Sequence, residues 1–394
     1  MHRERFPGLQ HDWARLDAPA GTQAVDSAIE AIGAFMASGD SANAHGSFAA
    51  AHATDALVSR ARATVAELFG GDPRGVVFGP SMTSLTLAFS AAVGRTLRPG
   101  DEIVLTRLDH DANVAPWLIA AERAGATVRF AEPPDRASLA LPAAAVEEHL
   151  TERTRWVAVT AASNAVGTIP DLPGIVAAAH AVGARVYVDA VHHAPHRRIS
   201  VRELGCDVLA CSPYKWFGPH AGLLVARDPD LLAELDPDKL RPSPDTVPER
   251  WETGTPAFEV IAGIAAAARY LLELDWEAVR AHEEALLARM LDGLRAIPGV
   301  TIHGDAPDRT ATVMFTLTGH DAQAIAEHLS SRRVAVWDGN YYALEISRLL
   351  GLEPAGAVRA GIVHYNEAWE VDRLLAGVAE LVGVPAPEPA SAVV

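Results

Sequence analysis

Cysteine is nearly absent from this chain: two in 394 residues, Cys206 and Cys211. One possible pair cannot make a multi-bridge disulfide framework. Five positions apart, the two form neither a CxxC redox pair nor a four-thiolate zinc set. Both flank an apolar stretch, DVLA, and read as buried structural thiols. Basic residues are also scarce, 33 Lys and Arg against 50 Asp and Glu, for a formal net charge of −17. That excludes the broad cationic surface needed to hold nucleic acid or an anionic membrane, while leaving room for a local basic pocket. No apolar run reaches ~18 residues, and the first residues, MHRERFPGLQHDW, contain no apolar signal core. A cytoplasmic protein is expected. Neither GxGxxG nor GxxxxGK(S/T) occurs, which removes the two commonest nucleotide-binding motifs, and no repeat is found.

What the chain does have is regular alternation. From about residue 55, helical 3–4 spacing (Leu57, Val58, Ala61, Val65, Leu68) gives way to short β-rich runs: GVVF (75–78), EIVL (102–105), TVRF (127–130), WVAVT (156–160), RVYVD (185–189), DVLAC (207–211) and GLLVA (222–226). Helices are expected between them, from Thr83, from Asn113, near 142–150 and near 173–182. Buried strands alternating with helices mean a largely parallel sheet covered on both faces. Ligands on such sheets sit beyond the carboxyl ends of the strands, which directs attention to the loops after Phe78, Thr106, Thr160, Val188 and Cys211. The Pro-rich stretch 238–256 reads as a long surface loop. Helices follow to about 296, then a smaller α/β unit: VTIH, ATVMFTL, a helix from Asp321, VAVW (334–337), and a last helix carrying Val371, Leu374, Leu375, Val378 and Leu381. The tail PAPEPASAVV is expected to fray.

Chemistry concentrates in YVDAVHHAPHRRISVRELGCDVLACSPYKWFGPHAG (187–222). Asp189 ends one apolar strand and Lys215 lies four residues past another, so both emerge at one edge of the sheet. A lysine between Ser-Pro-Tyr and Trp-Phe-Gly-Pro is unusual for a solvated surface charge. Desolvation beside positive charge lowers an amine's pKa, as imine formation requires. A carboxylate can pair with a pyridinium nitrogen and keep the ring an electron sink. Spacing alone does not distinguish this from a structural Asp and Lys.

The stretch resembles the cofactor-binding core of class V aminotransferases, the fold type I pyridoxal-5′-phosphate (PLP) enzymes that include cysteine desulfurases. The likeness runs from LDAPAGTQ (16–23) to VRAGIVHYNEAWEVDRL (358–374). It implies a large α/β domain with a seven-stranded, mostly parallel sheet (20–275) and a smaller C-terminal α/β domain (276–394) joined by residues 1–19. It implies Lys215 as the Schiff-base lysine and Asp189 as partner of the pyridine nitrogen. His110, in RLDHDANVAPW, would stack on the ring, and Asn164, in ASNAVGTI, would contact the ring hydroxyl. The turn FGPSMTS at a helix start would cup the phosphate with Met82 and Thr83, joined by Ser212 and Tyr214. Thr255, in ETGTP, falls where family members reach the phosphate of a neighbouring subunit, which implies a homodimer. Arg359 matches the arginine that binds the substrate carboxylate.

Three departures stand out. His192 replaces the Gln common three residues after the aspartate, and Tyr214 replaces a His before the lysine. The loop before Arg359, WDGNYYALEISRLLGLEPAGAVR, lacks the cysteine on which desulfurases form a persulfide. The expected reaction is therefore α,β-elimination on a small amino acid, a carbon–sulfur lyase without a persulfide. A class V aminotransferase, an epimerase or a non-catalytic PLP-binding protein are the alternatives. His192, His193 and His196 suggest a metal set at first sight, but Pro195 interrupts any helix there and no acidic or thiol ligands stand nearby, so no metal is expected. Asp111 reads equally as a cap or as an orienter of His110. Trp337, Tyr341 and Tyr342 read equally as core or as site wall.

Overall fold

Among the described residues the chain forms thirteen strands: β1 (Ala14–Arg15), β2 (Val76–Gly79), β3 (Glu102–Thr106), β4 (Thr127–Ala131), β5 (Thr154–Thr160), β6 (Arg185–Asp189), β7 (Val208–Cys211), β8 (Gly222–Ala226), β9 (Val300–His303), β10 (Thr312–Leu317), β11 (Val334–Ala335), β12 (Trp337–Gly339) and β13 (Ala357–Gly361). The computed structural model describes residues 2–387; Met1 and the tail from 388 lie outside the described residues.

Seven strands make one sheet in the order β2-β8-β7-β6-β5-β3-β4. All neighbours are parallel except β8, which runs antiparallel to both β7 and β2. β2 consequently runs with β7, and six carboxyl ends share one edge. Alternation sends Val186 and Val188 of β6 to one face and Tyr187 to the other. The first face is covered by helices Ala49–Phe69, Leu172–Ala181 and Phe258–Leu272, the second by Met82–Gly94 and Ala115–Ala124. At about 1.5–3 kcal/mol for each buried large aliphatic side chain, two such layers contribute most of what holds the sheet and its edge in place.

A second, antiparallel sheet runs β12-β13-β10-β9 and packs on helices Trp276–Ala296, Ala322–Ser331 and Ala368–Leu381. β1 pairs in parallel with β11, and Ala14 and Leu16 pack in this second core. No helix of the described residues is long and apolar enough to cross a membrane.

The strands of the large sheet fall where the apolar runs place them. Three features differ. VAVW is not one strand: Val334–Ala335 pairs with β1, and Trp337–Gly339 joins β13 in the other sheet. Helix Asp26–Ala37 leaves no clean apolar stripe in the sequence because Ile29 and Met36 stay exposed while Ile32 packs on Gly263. The stretch 238–256 is not wholly a surface loop. Its end plugs into the core, with Trp251 stacked on Phe89 at 5.6 Å and Glu252 paired with Arg62 at 2.7 Å.

Candidate active site

Lys215 sits in a short 3-10 turn, Pro213–Lys215, directly beyond β7. Pro213 presets the turn, and the lysine is buried with Nζ donating to the Pro19 carbonyl. Burial pushes its amine down to about 7; the Arg359 guanidinium pushes the same way, and Asp189 opposes. Asp189 closes the adjacent strand β6, buried, with Oδ1 accepting from Val191 N at 2.9 Å. Burial lifts its carboxyl to about 6 against that hydrogen bond and the Lys215 charge.

The loop after β3 supplies His110. Its Nδ1 accepts from Ala112 N at 3.0 Å, so the neutral ring carries its proton on Nε2. Burial, with Lys215 and Arg359, holds the imidazole down to about 4. Asp109 pins the turn from below, accepting from Thr106 Oγ1 and from Asn113 Nδ2 at 2.7 Å. After β5, Asn164 donates from Nδ2 to the Tyr341 carbonyl at 3.0 Å, and its own carbonyl accepts from Arg359 at 2.8 Å. Arg359, buried on β13, lies 4.3 Å from the centre of the Tyr341 ring. Its burial lowers the guanidinium to about 10, still charged at neutral pH.

The structure thus brings Lys215, Asp189, His110, Asn164 and Arg359 to one edge from five separate segments. Two atoms there are buried without a partner among the described residues: Asn164 Oδ1 and Arg359 Nε. Leaving buried polar atoms unpaired costs about 1–3 kcal/mol each, so a site waiting for a polar ligand explains both.

At the start of helix Met82–Gly94, Ser81 caps by accepting from Ser84 N at 3.0 Å. The N–H groups of Met82 and Thr83 have no carbonyl within the helix to accept them, which suits an anion. Gly222 backs directly on this turn: a Cβ there would stand 2.1 Å from the Ser81 carbonyl carbon. Ser212 is buried beside the lysine turn, while Tyr214 stacks on His220 at 4.7 Å. Thr255 is exposed and, with Gly79, Pro80, Ser84 and His220 of its own chain, lines a cavity of about 410 Å³.

His192 is buried three residues past Asp189. Its Nε2 lies 3.0 Å from Thr312 Oγ1 and 3.2 Å from Thr310 Oγ1, which turn the ring toward β10. His196 meets His192 edge-on at 5.3 Å and pairs with Glu283 at 2.7 Å. Among the described residues no three His, Cys, Asp or Glu side chains converge as a metal set. Two larger clefts, about 760 and 730 Å³, are lined by neither Lys215, Asp189, His110 nor Arg359. Size is a poorer guide here than the grouped, shifted titratable side chains.

Sequence reasoning missed Asp109, the Pro19 carbonyl and the double duty of Tyr341. Asp109 adjoins His110, but nothing in the sequence pattern distinguishes a buried turn-pinning carboxyl from a solvated one.

These residues fit PLP. A buried amine lowered to about 7, a carboxyl at the strand end, an orphan amide oxygen and a helix start could meet the aldehyde, ring nitrogen, ring hydroxyl and phosphate. The aminotransferase class-V profile matches residues 14–374. The chain belongs to the class-V aminotransferase family. It is 33% identical over 396 residues to an uncharacterized protein of Mycobacterium tuberculosis, MT3887, spanning 96% of this chain and 98% of that one. It is 34% identical over 386 residues to the probable cysteine desulfurase 2 of Mycobacterium leprae, spanning 93% and 90%. Among solved structures, the cysteine desulfurase of Thermococcus onnurineus superposes with a TM-score of 0.90 at 26% identity, over 96% of this chain and 97% of that one. This class-V chain has the fold type I architecture and is a PLP-dependent, cysteine desulfurase-like enzyme.

Proposed function

We propose that this enzyme is a carbon–sulfur lyase: it takes the α-proton of a small sulfur-bearing amino acid and expels the β-sulfur as sulfide or thiol. The observation that carries elimination over persulfide transfer is the state of the two thiols. Cys211 is buried, with Sγ accepting from Trp216 Nε1 at 3.1 Å, and burial pushes its thiol far above the ordinary range. Cys206 is buried and pushed up to about 12. The stretch 337–359, where the resemblance places the desulfurase nucleophile, has no cysteine. A persulfide needs an accessible thiolate, and neither thiol can supply one.

PLP supplies the sink for the electron pair left on Cα. The protein's own groups do the rest. Lys215 Nζ, held near neutrality by burial, accepts the Cα proton. Asp189 would pair with the pyridine nitrogen and favour a proton there, in a buried position that strengthens such a pairing. Arg359 holds the substrate carboxylate with the face that includes its free Nε. Asn164 Oδ1 would take the ring hydroxyl, and the Met82 and Thr83 N–H groups would take the phosphate, with Ser212 and Tyr214 beside them. His110 would cover the ring, and His192, held through Nε2 by Thr312 and Thr310, would offer its other ring nitrogen to the cofactor. Exposed Thr255, on the rim of the cavity that holds Gly79 and Ser84, supports a homodimer assembled across this face.

The test is a panel of amino acids, cysteine and S-substituted cysteines included. Pyruvate, ammonia and sulfide or thiol should form in equal amounts. A keto acid that keeps the β-substituent would make the enzyme a transaminase, an inverted α-centre an epimerase, and absence of turnover with PLP bound a binding protein.

A further inference from the structure

Tyr341 and Tyr342 follow one another with left-handed backbones, φ +56° and +58°. Large side chains with a Cβ avoid that region, and two in succession are held there only when the surroundings over-determine them. The surroundings do. The Tyr341 carbonyl accepts from Asn164 Nδ2 at 3.0 Å, and the Tyr342 carbonyl accepts from Asp111 N at 2.6 Å. The Tyr341 ring lies beneath the Arg359 guanidinium at 4.3 Å, with its hydroxyl donating to the Ala357 carbonyl. The Tyr342 ring stacks on His110, centroids 5.5 Å apart and planes 27° apart. Asn340 closes the turn: its Oδ1 accepts from Tyr342 N at 3.1 Å, and its Nδ2 donates to Glu353 at 2.9 Å. Farther along, Glu345 ties the segment to Arg107 and Arg348.

Two adjacent residues therefore reach three parts of the site: the loop after β3, the loop after β5, and β13. Tyr342 itself is 72% exposed. A solvated ring on a strained backbone contributes little burial, so packing alone does not account for it. What the ring does touch is an imidazole of the site.

We infer that Tyr342 is a positioning residue: its ring sets the tilt of His110 against the cofactor, as the Tyr341 carbonyl and ring set Asn164 and Arg359. This rests on the reading that these residues hold PLP. The segment that carries a reactive thiol in persulfide-forming relatives is here a rigid brace.

The experiment uses the full chain loaded with PLP and compares wild type with Tyr342→Phe, Tyr342→Ala and Tyr342→Gly. The readouts are visible circular dichroism, which reports the asymmetry around the ring, the rate of PLP release, and thermal midpoint. Phe keeps the stack and should match wild type. Ala and Gly should lose most of the dichroism and release PLP about 3- to 10-fold faster, the span of one aromatic pair. Glycine takes a positive φ freely, so Tyr342→Gly should be at least as heat-stable as Tyr342→Ala while sharing its cofactor defect. Dichroism and release unchanged in Tyr342→Ala, or defects that simply follow thermal midpoint across the series, overturn the inference. A wild type that takes up no PLP overturns the parent reading and this one together; a wild type that binds PLP leaves the parent standing whatever Tyr342 does.

Discussion

Asp189 and Lys215 stabilise each other's charge from adjacent strand ends while burial works against both. The carboxyl is lifted to about 6 and the amine lowered to about 7, so both groups are poised to exchange protons near neutral pH. Neither would be so placed on the surface. The sheet makes the arrangement, because β6 and β7 end side by side beneath the loops that exclude water.

The first consequence is a pH-dependent strain in the cofactor-free protein. A folded-state pKa of about 7 lies below the ordinary 10.5 for Lys215. The associated stability is complete above pH 10.5, falls as pH drops, and is fully lost below about 7. Lys215→Met removes the titration, so its stability advantage over wild type should grow as pH falls from 10.5 to 7, to the order of a few kcal/mol, then level off. Urea unfolding across that range measures it. A gap that does not vary with pH would mean that Lys215 is solvated.

The cofactor's attachment and activation can be separated. The loaded protein should be yellow, and Lys215→Ala should fold yet lack the visible band of lysine-bound PLP. Asp189→Asn should keep the band but lose about 10²-fold or more in turnover, since an amide cannot hold the ring nitrogen's proton. Near-normal turnover in Asp189→Asn would assign this carboxyl a structural role only.

Replacing Cys206 and Cys211 together by Ala should leave a folded, active enzyme at a cost of about 1–2 kcal/mol in stability. Mass spectrometry of the wild type during turnover should show no added sulfur on either cysteine. A persulfide on Cys211 would reinstate sulfur transfer and end the case for direct elimination.

Much of this was legible because strands and their ends leave strong signals. Runs such as RVYVD and DVLAC place Asp189 and Lys215 at a common edge by periodicity alone, and motif resemblance supplied roles for His110, Asn164 and Arg359. Orientation was not legible. His192 was visible only as a replacement for the usual Gln, whereas the hydroxyls of Thr310 and Thr312, some 120 residues on, decide where its Nε2 points. Tyr341 and Tyr342 looked as much like core as like wall, because a positive φ in a residue other than glycine has no sequence signature. Trp251 was hidden in a Pro-rich stretch whose composition says loop, and only the Phe89 ring it meets makes it core.

The last prediction concerns what Arg359 reads. Its guanidinium is buried, spends one nitrogen on the Asn164 carbonyl, rests on the Tyr341 ring and keeps Nε free. A fork so constrained can meet a carboxylate with two parallel hydrogen bonds, fixing its plane as well as its position. Fixing that plane aligns the Cα–H bond for removal, so the clamp acts on rate and not on affinity alone. Charge-assisted hydrogen bonds contribute roughly 1.5–3 kcal/mol each, and losing the pair should reduce kcat/KM by at least about 10²-fold. Arg359→Lys should be damaged nearly as much as Arg359→Ala, because an ammonium restores charge without the fork and cannot reach Asn164 and substrate at once. The visible band of bound PLP should persist in both variants, which separates a substrate defect from a cofactor defect. Equal kcat/KM for wild type and Arg359→Ala, or undiminished turnover of amines that lack the α-carboxylate, would show that the enzyme does not read that group at all.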